Sequence, residues 1–261
     1  MEPGTSQTSG LAARLIAAQR EGSLVSTCPG DAVATLEGAE AVQDQFIATL
    51  GSIAGWKLGA TMAPIRVTLG LPRPFFGAVP AGRVAKSGIL FGPWSDTVGI
   101  ESEYAFRFGR NLTPGESVTK ETVANAIESV HAAFEIPASR YAKGVGGEGG
   151  LMLVADNGAG GWIIVGEGRA PTSIADLVHA QVRLSVSGEL RAEGNAEPID
   201  GAPFEILAEF VRLAHKRGYS IEAGQFVVTG SCTGYTQVPL GAELIAEFTH
   251  IGRVRTVLQR E

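Results

Sequence analysis

The chain of 261 residues contains only two cysteines, Cys28 and Cys232, far apart and without ligand-like spacing. A reduced, cytoplasmic setting is the simplest reading of so few thiols. Histidine is scarce too. His131, His179, His215 and His250 show no ligand spacing, and none lies beside a cysteine in sequence, so no nucleophile is assigned. Basic residues are outnumbered, 21 Lys and Arg against 27 Asp and Glu. The resulting net charge of −6 argues against nucleic acid or an anionic membrane as the main partner. No run of about 18 apolar residues exists, so no membrane span is expected. The start, Met1 to Gly10, lacks a basic segment followed by an apolar core, so it does not read as a signal peptide. No internal repeat is visible. Residues 144–150 hold five glycines in seven positions, but without the P-loop lysine or a strand–loop–helix context they are no phosphate loop.

What the chain does have is apolar bulk, 44% of residues, and 35 glycines scattered between extended segments. Such glycines suit turns and bulges of a sheet-rich domain. The first quarter reads as helical. Leu11, Leu15 and Ala18 recur at helical spacing, as do Val42, Phe46 and Leu50, with Thr35 as N-cap of the second helix. Short extended runs follow: 55–60, then 99–108, which alternates. Residues 69–74 form a loop and Pro114-Gly115 a turn. Val123, Ile127 and Val130 mark a helix running toward Ala133, although 130–136 also reads as a strand. Residues 144–150 are expected as a flexible loop. The runs 151–155, 162–165 and 178–186 are expected strands, 203–217 an amphipathic helix, and 226–228, 243–248 and 254–258 closing strands. This order does not alternate regularly between strand and helix. It predicts an α+β fold with a mixed, largely antiparallel β-roll or barrel. The predicted division is a helical segment over 1–54 and a catalytic core over 55–261, forming one structural unit.

The most informative acids are Glu101, Glu103 and Glu135. On a strand, alternation puts Glu101 and Glu103 on one face and Ser102 on the other. Two like charges on one face repel unless a cation lies between them, and Glu135 stands alone in an apolar run. Three carboxylates would complete an all-oxygen site for a hard cation such as Mg²⁺. The competing readings are an exposed strand face for the pair and an ion pair with Arg140 for Glu135. Lys57, the only lysine among small and apolar residues, is either a snorkelling side chain at a strand end or an acid/base whose pKa burial lowers. Asp156-Asn157 suits a turn or a substrate contact. Thr229-Gly230-Ser231 offers N–H and hydroxyl donors to a carboxylate, or forms a bulge.

Several short motifs occur together, in order, from about residue 35 onward. They are Ala41-Val42-Gln43-Asp44, Gly55-Trp56-Lys57-Leu58-Gly59, Leu69-Gly70-Leu71, Ile100-Glu101-Ser102-Glu103, Phe134-Glu135, Ser139-Arg140 and Ala155-Asp156-Asn157. Gly201-Ala202-Pro203, Ala223-Gly224 and Val228-Thr229-Gly230 complete the set. In these the chain resembles the 2-keto-4-pentenoate hydratase and 4-oxalocrotonate decarboxylase family of the fumarylacetoacetate hydrolase superfamily. The resemblance implies a β-roll with Mg²⁺ or Mn²⁺ on Glu101, Glu103 and Glu135, and a short 2-oxo or 2-hydroxydienoic acid as substrate. Hydration of 2-hydroxypenta-2,4-dienoate to 4-hydroxy-2-oxopentanoate, in aromatic meta-cleavage catabolism, is the leading expectation. Decarboxylation of 2-oxohex-3-enedioate is the runner-up. An acylpyruvate hydrolase or isomerase, or a weak partner subunit, comes behind both. A 2-oxo acid offers two oxygens for chelation, and a Lewis acid there stabilises the enolate that both lead reactions need. For this chemistry Lys57 is the expected acid/base and Asp156, Asn157, Thr229, Gly230 and Ser231 the expected substrate contacts; the resemblance also implies a homo-oligomer or a hydratase–decarboxylase complex. Two positions depart from the family pattern: Phe75 stands where an acid is common, and Ala159 where a serine is.

Overall fold

The computed structural model describes residues 3–27, 33–87, 90–91, 97–171 and 176–258. Cys28 and the first two residues lie outside them. In chain order the elements are α1 (Pro3–Glu21), α2 (Leu36–Ile47), β1 (Ile53–Gly59), α3 (Ala63–Leu69), β2 (Phe75–Pro80), β3 (Val84–Lys86) and β4 (Leu90–Phe91). The long strand β5 (Thr97–Phe108) follows, then α4 (Lys120–Ala124), β6 (Ile127–Ile136), α5 (Gly150–Ala155) and β7 (Trp162–Arg169). The last part holds β8 (Val182–Val186), β9 (Glu189–Gly194), α6 (Ala202–Lys216), β10 (Phe226–Val228), β11 (Thr236–Pro239), β12 (Glu243–Phe248) and β13 (Gly252–Leu258).

Among the described residues, the larger sheet runs β2-β1-β10-β5-β6-β7-β3 and curls as a half-barrel, with β11 paired to the first part of β5. Its pairings are antiparallel except β1 with β10 and β3 with β7. A second sheet runs β4-β13-β12-β8-β9. The fold is therefore the α+β roll anticipated from the order of segments.

Alternation along β5 and β6 divides the interior in two. Ile100, Tyr104, Phe106 and Phe108, with Val130, Ala132, Phe134 and Ile136, belong to one large core. That core also takes Ile206, Leu207 and Phe210 of α6 and Leu184, Leu244 and Phe248 of the second sheet. The opposite face carries Ala105 and Ala133 with Val228 and Ile163, a smaller cluster. Small side chains there leave room for the three acids. Helices α1, α2 and α5 form a third cluster with Ala60, Leu71, Phe75 and Ala159.

Thr35 caps α2 as expected, its hydroxyl accepting from the Gly38 N–H at 3.1 Å. Four expectations need correction. Residues 151–155 form helix α5 rather than a strand. An all-apolar run has no period to separate the two, and packing against α2 decides. The helix expected toward Ala133 is the single turn α4; its i, i+4 pattern yields to pairing of β6 with both β5 and β7. The strand expected over 178–186 begins only at Val182, because the Asp176 carboxylate accepts from the Val178 and His179 N–H groups and closes a turn. Finally, α3 precedes the 69–74 loop and ends at Gly70, whose φ of 64° is left-handed.

Candidate active site

Strands β5 and β6 place Glu101 directly opposite Glu135 in their antiparallel register, and Glu103 opposite Ala133. The period of two then brings the third carboxylate onto the same face. Ligand oxygens of all three lie within 4.8 Å of one another. Glu103 and Glu135 are buried and Glu101 is partly exposed. Among the described residues neither buried Glu135 oxygen has a hydrogen-bond partner. Burial, then the neighbouring Glu101, pushes Glu103 up to about 8; the Gly230 N–H and Lys57 act against this. Burial likewise raises Glu135 well above the usual carboxylate range. Crowded, desolvated carboxylates of this kind are relieved by a cation, and an all-oxygen set suits a hard one. The donors therefore fit Mg²⁺ or Mn²⁺.

The reason that β5 can hold this site is a gap along one edge. β10 pairs with Ala105–Arg107 and β11 with residues 97–100, leaving 101–104 between them. The 229–235 connection crosses that gap. Its Cys232 N–H donates to the Ser102 carbonyl at 2.8 Å, and its Gly230 N–H donates to Glu103 Oε2 at 2.6 Å. The latter bond fixes one carboxylate and uses up a donor that the sequence reading assigned to substrate. Gly230 and Ser231 line the cavity, whereas Thr229 lies fully buried and does not. The buried hydroxyls of Thr229 and Ser231 make no hydrogen bond among the described residues.

Lys57 sits on β1, buried, with Nζ 3.6 Å from Glu135 Oε1. It is not a snorkelling side chain. The expected fall in its pKa is also corrected. Burial lowers it, but Glu135, Glu101 and Glu103 together outweigh burial and the net direction is upward. Lys57 is therefore a protonated ammonium facing three acids. Phe75 lies beside it, ring centroid 5.6 Å from Nζ.

Asp156 and Asn157 do not line the cavity that holds Lys57, and protein groups engage their side chains. Asp156 accepts from the Arg140 guanidinium, from the Arg140 N–H at 3.0 Å and from the Ser139 hydroxyl at 2.8 Å. Arg140 thus pairs with Asp156, not with Glu135. Asn157 bonds both backbone groups of Ala78 at 2.8 Å, tying the turn after α5 to β2. That turn is left-handed at Asn157, Gly158 and Ala159, with φ of 53°, 61° and 54°. Both acid and amide are buried and their polar groups are engaged by protein. His131 is an engaged histidine, its ring between Ser129 Oγ at 2.8 Å and the Gly166 carbonyl at 3.1 Å.

One cavity of about 710 Å³ contains Lys57, Glu101, Glu103, Gly230 and Ser231. Sequence reasoning missed Tyr235, which also lines it. Its ring lies over Gly99, two residues before Glu101 on the same strand face. A glycine inside an alternating strand was the available signal for such a close approach.

The chain is 26% identical over 255 residues to a 2-keto-4-pentenoate hydratase of Burkholderia vietnamiensis, spanning 94% of this chain and 95% of the relative. It is 25% identical over 250 residues to a 4-oxalocrotonate decarboxylase of a Pseudomonas species, spanning 93% and 94%. Along nearly its whole length the chain is thus similar to proteins named 2-keto-4-pentenoate hydratase and 4-oxalocrotonate decarboxylase. No single family model matches it. A 4-oxalocrotonate decarboxylase from Pseudomonas putida G7, solved in complex with magnesium and adipate, shares the fold. Its TM-score is 0.86 over 97% of this chain and 98% of that one, at 23% identity.

Proposed function

We propose that this chain is a divalent-metal-dependent lyase that hydrates 2-hydroxypenta-2,4-dienoate to 4-hydroxy-2-oxopentanoate. The observation that carries this reading is the convergence of three carboxylates, Glu101 and Glu103 on the cavity wall and Glu135 behind them, with Lys57 beside them. Glu101, Glu103 and Glu135 would hold Mg²⁺ or Mn²⁺, which would supply Lewis-acid chemistry to a bound 2-oxo acid. Lys57 holds the proton that hydration needs at C5 as the 2-hydroxyl proton leaves. Water then adds at C4 and a proton at C3, which completes the product. The Gly230 N–H keeps Glu103 in place. Ser231 offers a hydroxyl toward the substrate carboxylate, with Thr229 behind it in the same connection. Decarboxylation of 2-oxohex-3-enedioate is the second reading, because a relative of that name matches this chain almost as closely as the hydratases do.

We further place the protein in the cytoplasm, where the buried Cys232 thiol stays reduced, as a homo-oligomer or in a hydratase–decarboxylase complex. Among the described residues no helix is long and apolar enough to cross a membrane. Product analysis by NMR in D₂O tests the activity. The Mg²⁺-loaded protein receives each substrate, with EDTA as control. Metal-dependent 4-hydroxy-2-oxopentanoate supports hydration, and loss of CO₂ supports the second reading. No product from either substrate removes both. Sedimentation analysis tests assembly.

A further inference from the structure

The cavity is larger than a five-carbon acid needs; about 710 Å³ falls in the range, about 300–1,000 Å³, of pockets that enclose much bigger ligands. Lys57, Glu101, Glu103 and Ser231 line it at the carboxylate end. Elsewhere its wall includes the large apolar side chains Leu24, Met62, Ile65, Leu69, Val145 and Leu153, with Thr68 and Lys143 among them. Three of these are large apolar side chains left open to solvent: Leu24 is 56%, Ile65 41% and Val145 39% exposed. Scattered exposed apolar residues need no explanation, but a set around one cavity mouth marks a binding surface.

Positive charge is sparse on that side. Among the described residues only two cations line the cavity. Lys57 faces the acids, and Lys143 is exposed and paired with Glu148 at 3.1 Å. Phe75 adds a buried apolar wall beside Lys57. Its ring fills a slot bounded by Gly59 and Gly158, where any Cβ would lie within 3 Å of ring carbons. A second carboxylate on the substrate would lose water against this apolar wall, where the one lining cation, Lys143, is already paired with Glu148, and that loss is costly.

Resting on the proposed chelation of a 2-oxo acid, we infer that the site favours acids of this class extended beyond the five-carbon member by an uncharged alkyl or aryl tail, bound between Phe75 and the Leu24, Ile65 and Val145 rim. The tail, rather than the chelated end, then sets specificity. A dicarboxylic acid is disfavoured.

Binding of saturated, unreactive 2-oxo acids to the Mg²⁺-loaded full chain, followed by calorimetry, tests this without requiring turnover. The series is pyruvate, 2-oxopentanoate, 2-oxohexanoate and 2-oxooctanoate, with 2-oxoadipate as the charged-tail control. Affinity is expected to rise about fourfold per added methylene until the chain fills the cavity. 2-Oxoadipate is expected to bind more weakly than 2-oxohexanoate. Ile65→Asp, at an exposed position of α3, is expected to cut the ratio of 2-oxooctanoate to pyruvate affinity by about tenfold. Affinity independent of chain length, or tighter binding of 2-oxoadipate, overturns the inference while leaving chelation intact. Failure of every acid to bind, pyruvate included, means that the chelation reading has failed and the inference falls with it. If Ile65→Asp leaves the ratio unchanged and alters the oligomer mass in sedimentation, the rim is an interface between copies and the inference is wrong.

Discussion

At the scale of single residues, the site is three acids and a lysine whose charges are understood only together. Glu135 is buried with two oxygens that make no hydrogen bond among the described residues, and Lys57 approaches to 3.6 Å. If these acids hold a cation, Glu103→Ala lowers Mn²⁺ affinity by more than about a hundredfold in a calorimetric titration. Retained affinity would remove Glu103 from the ligand set. For Lys57→Ala the expected loss is in turnover, about 10²- to 10⁴-fold, with Mn²⁺ affinity changed far less. The opposite ordering would make Lys57 a structural counter-charge. Alternation made the acids legible in sequence, since period two puts Glu101 and Glu103 on one side wherever 99–108 is a strand. The partner of Arg140 was not legible. Glu135 and Asp156 were both within reach along the chain, and only the path of β6 away from Arg140 assigns it to Asp156.

At the scale of elements, two devices invite measurement. The turn after α5 holds three successive residues left-handed, and Ala159 is one that carries a Cβ. That conformation costs an L-residue roughly 1–2 kcal/mol, so Ala159→Gly is expected to stabilise the fold by about 1 kcal/mol in urea unfolding. A destabilised variant would mean that the buried methyl contributes more than the backbone strain costs. On β6, burial holds the His131 pKa below its ordinary value, and the ring packs edge-on against Phe226 at 5.4 Å. A histidine whose folded pKa is depressed takes up a proton more readily when unfolded. Its contribution to stability is full above the unfolded value and is lost as pH falls below about 6.5. Wild type should therefore lose more of its urea midpoint between about pH 7 and about pH 5 than His131→Phe does. Equal losses would show that His131 does not carry that slope.

At the scale of the whole molecule, the helical segment and the roll share a core. Phe46 of α2 is fully buried, stacks on the Arg140 guanidinium at 5.0 Å and lies in one cluster with Phe75 of β2 and Ala155 of α5. The segments 1–54 and 55–261 are accordingly proposed to unfold together. Phe46→Ala is expected to cost about 3–5 kcal/mol, and circular dichroism and Trp fluorescence should shift by the same amount. Two separated transitions would make the helices an independent unit.

The sequence by itself determined the alternation that aligns the acids, the first two helices with the Thr35 cap, helix α6 and the α+β class. Each of these rests on a local period or a local cap, which neighbouring residues enforce. Only the tertiary structure decided that 151–155 is a helix, that Asp156 serves Arg140, and that Gly230 serves Glu103. It also decided that Lys57 is raised rather than lowered in pKa. All four depend on groups brought together by tertiary packing, Gly230 and Glu103 from more than 100 residues apart in sequence, and burial and partner choice are properties of that meeting rather than of any segment.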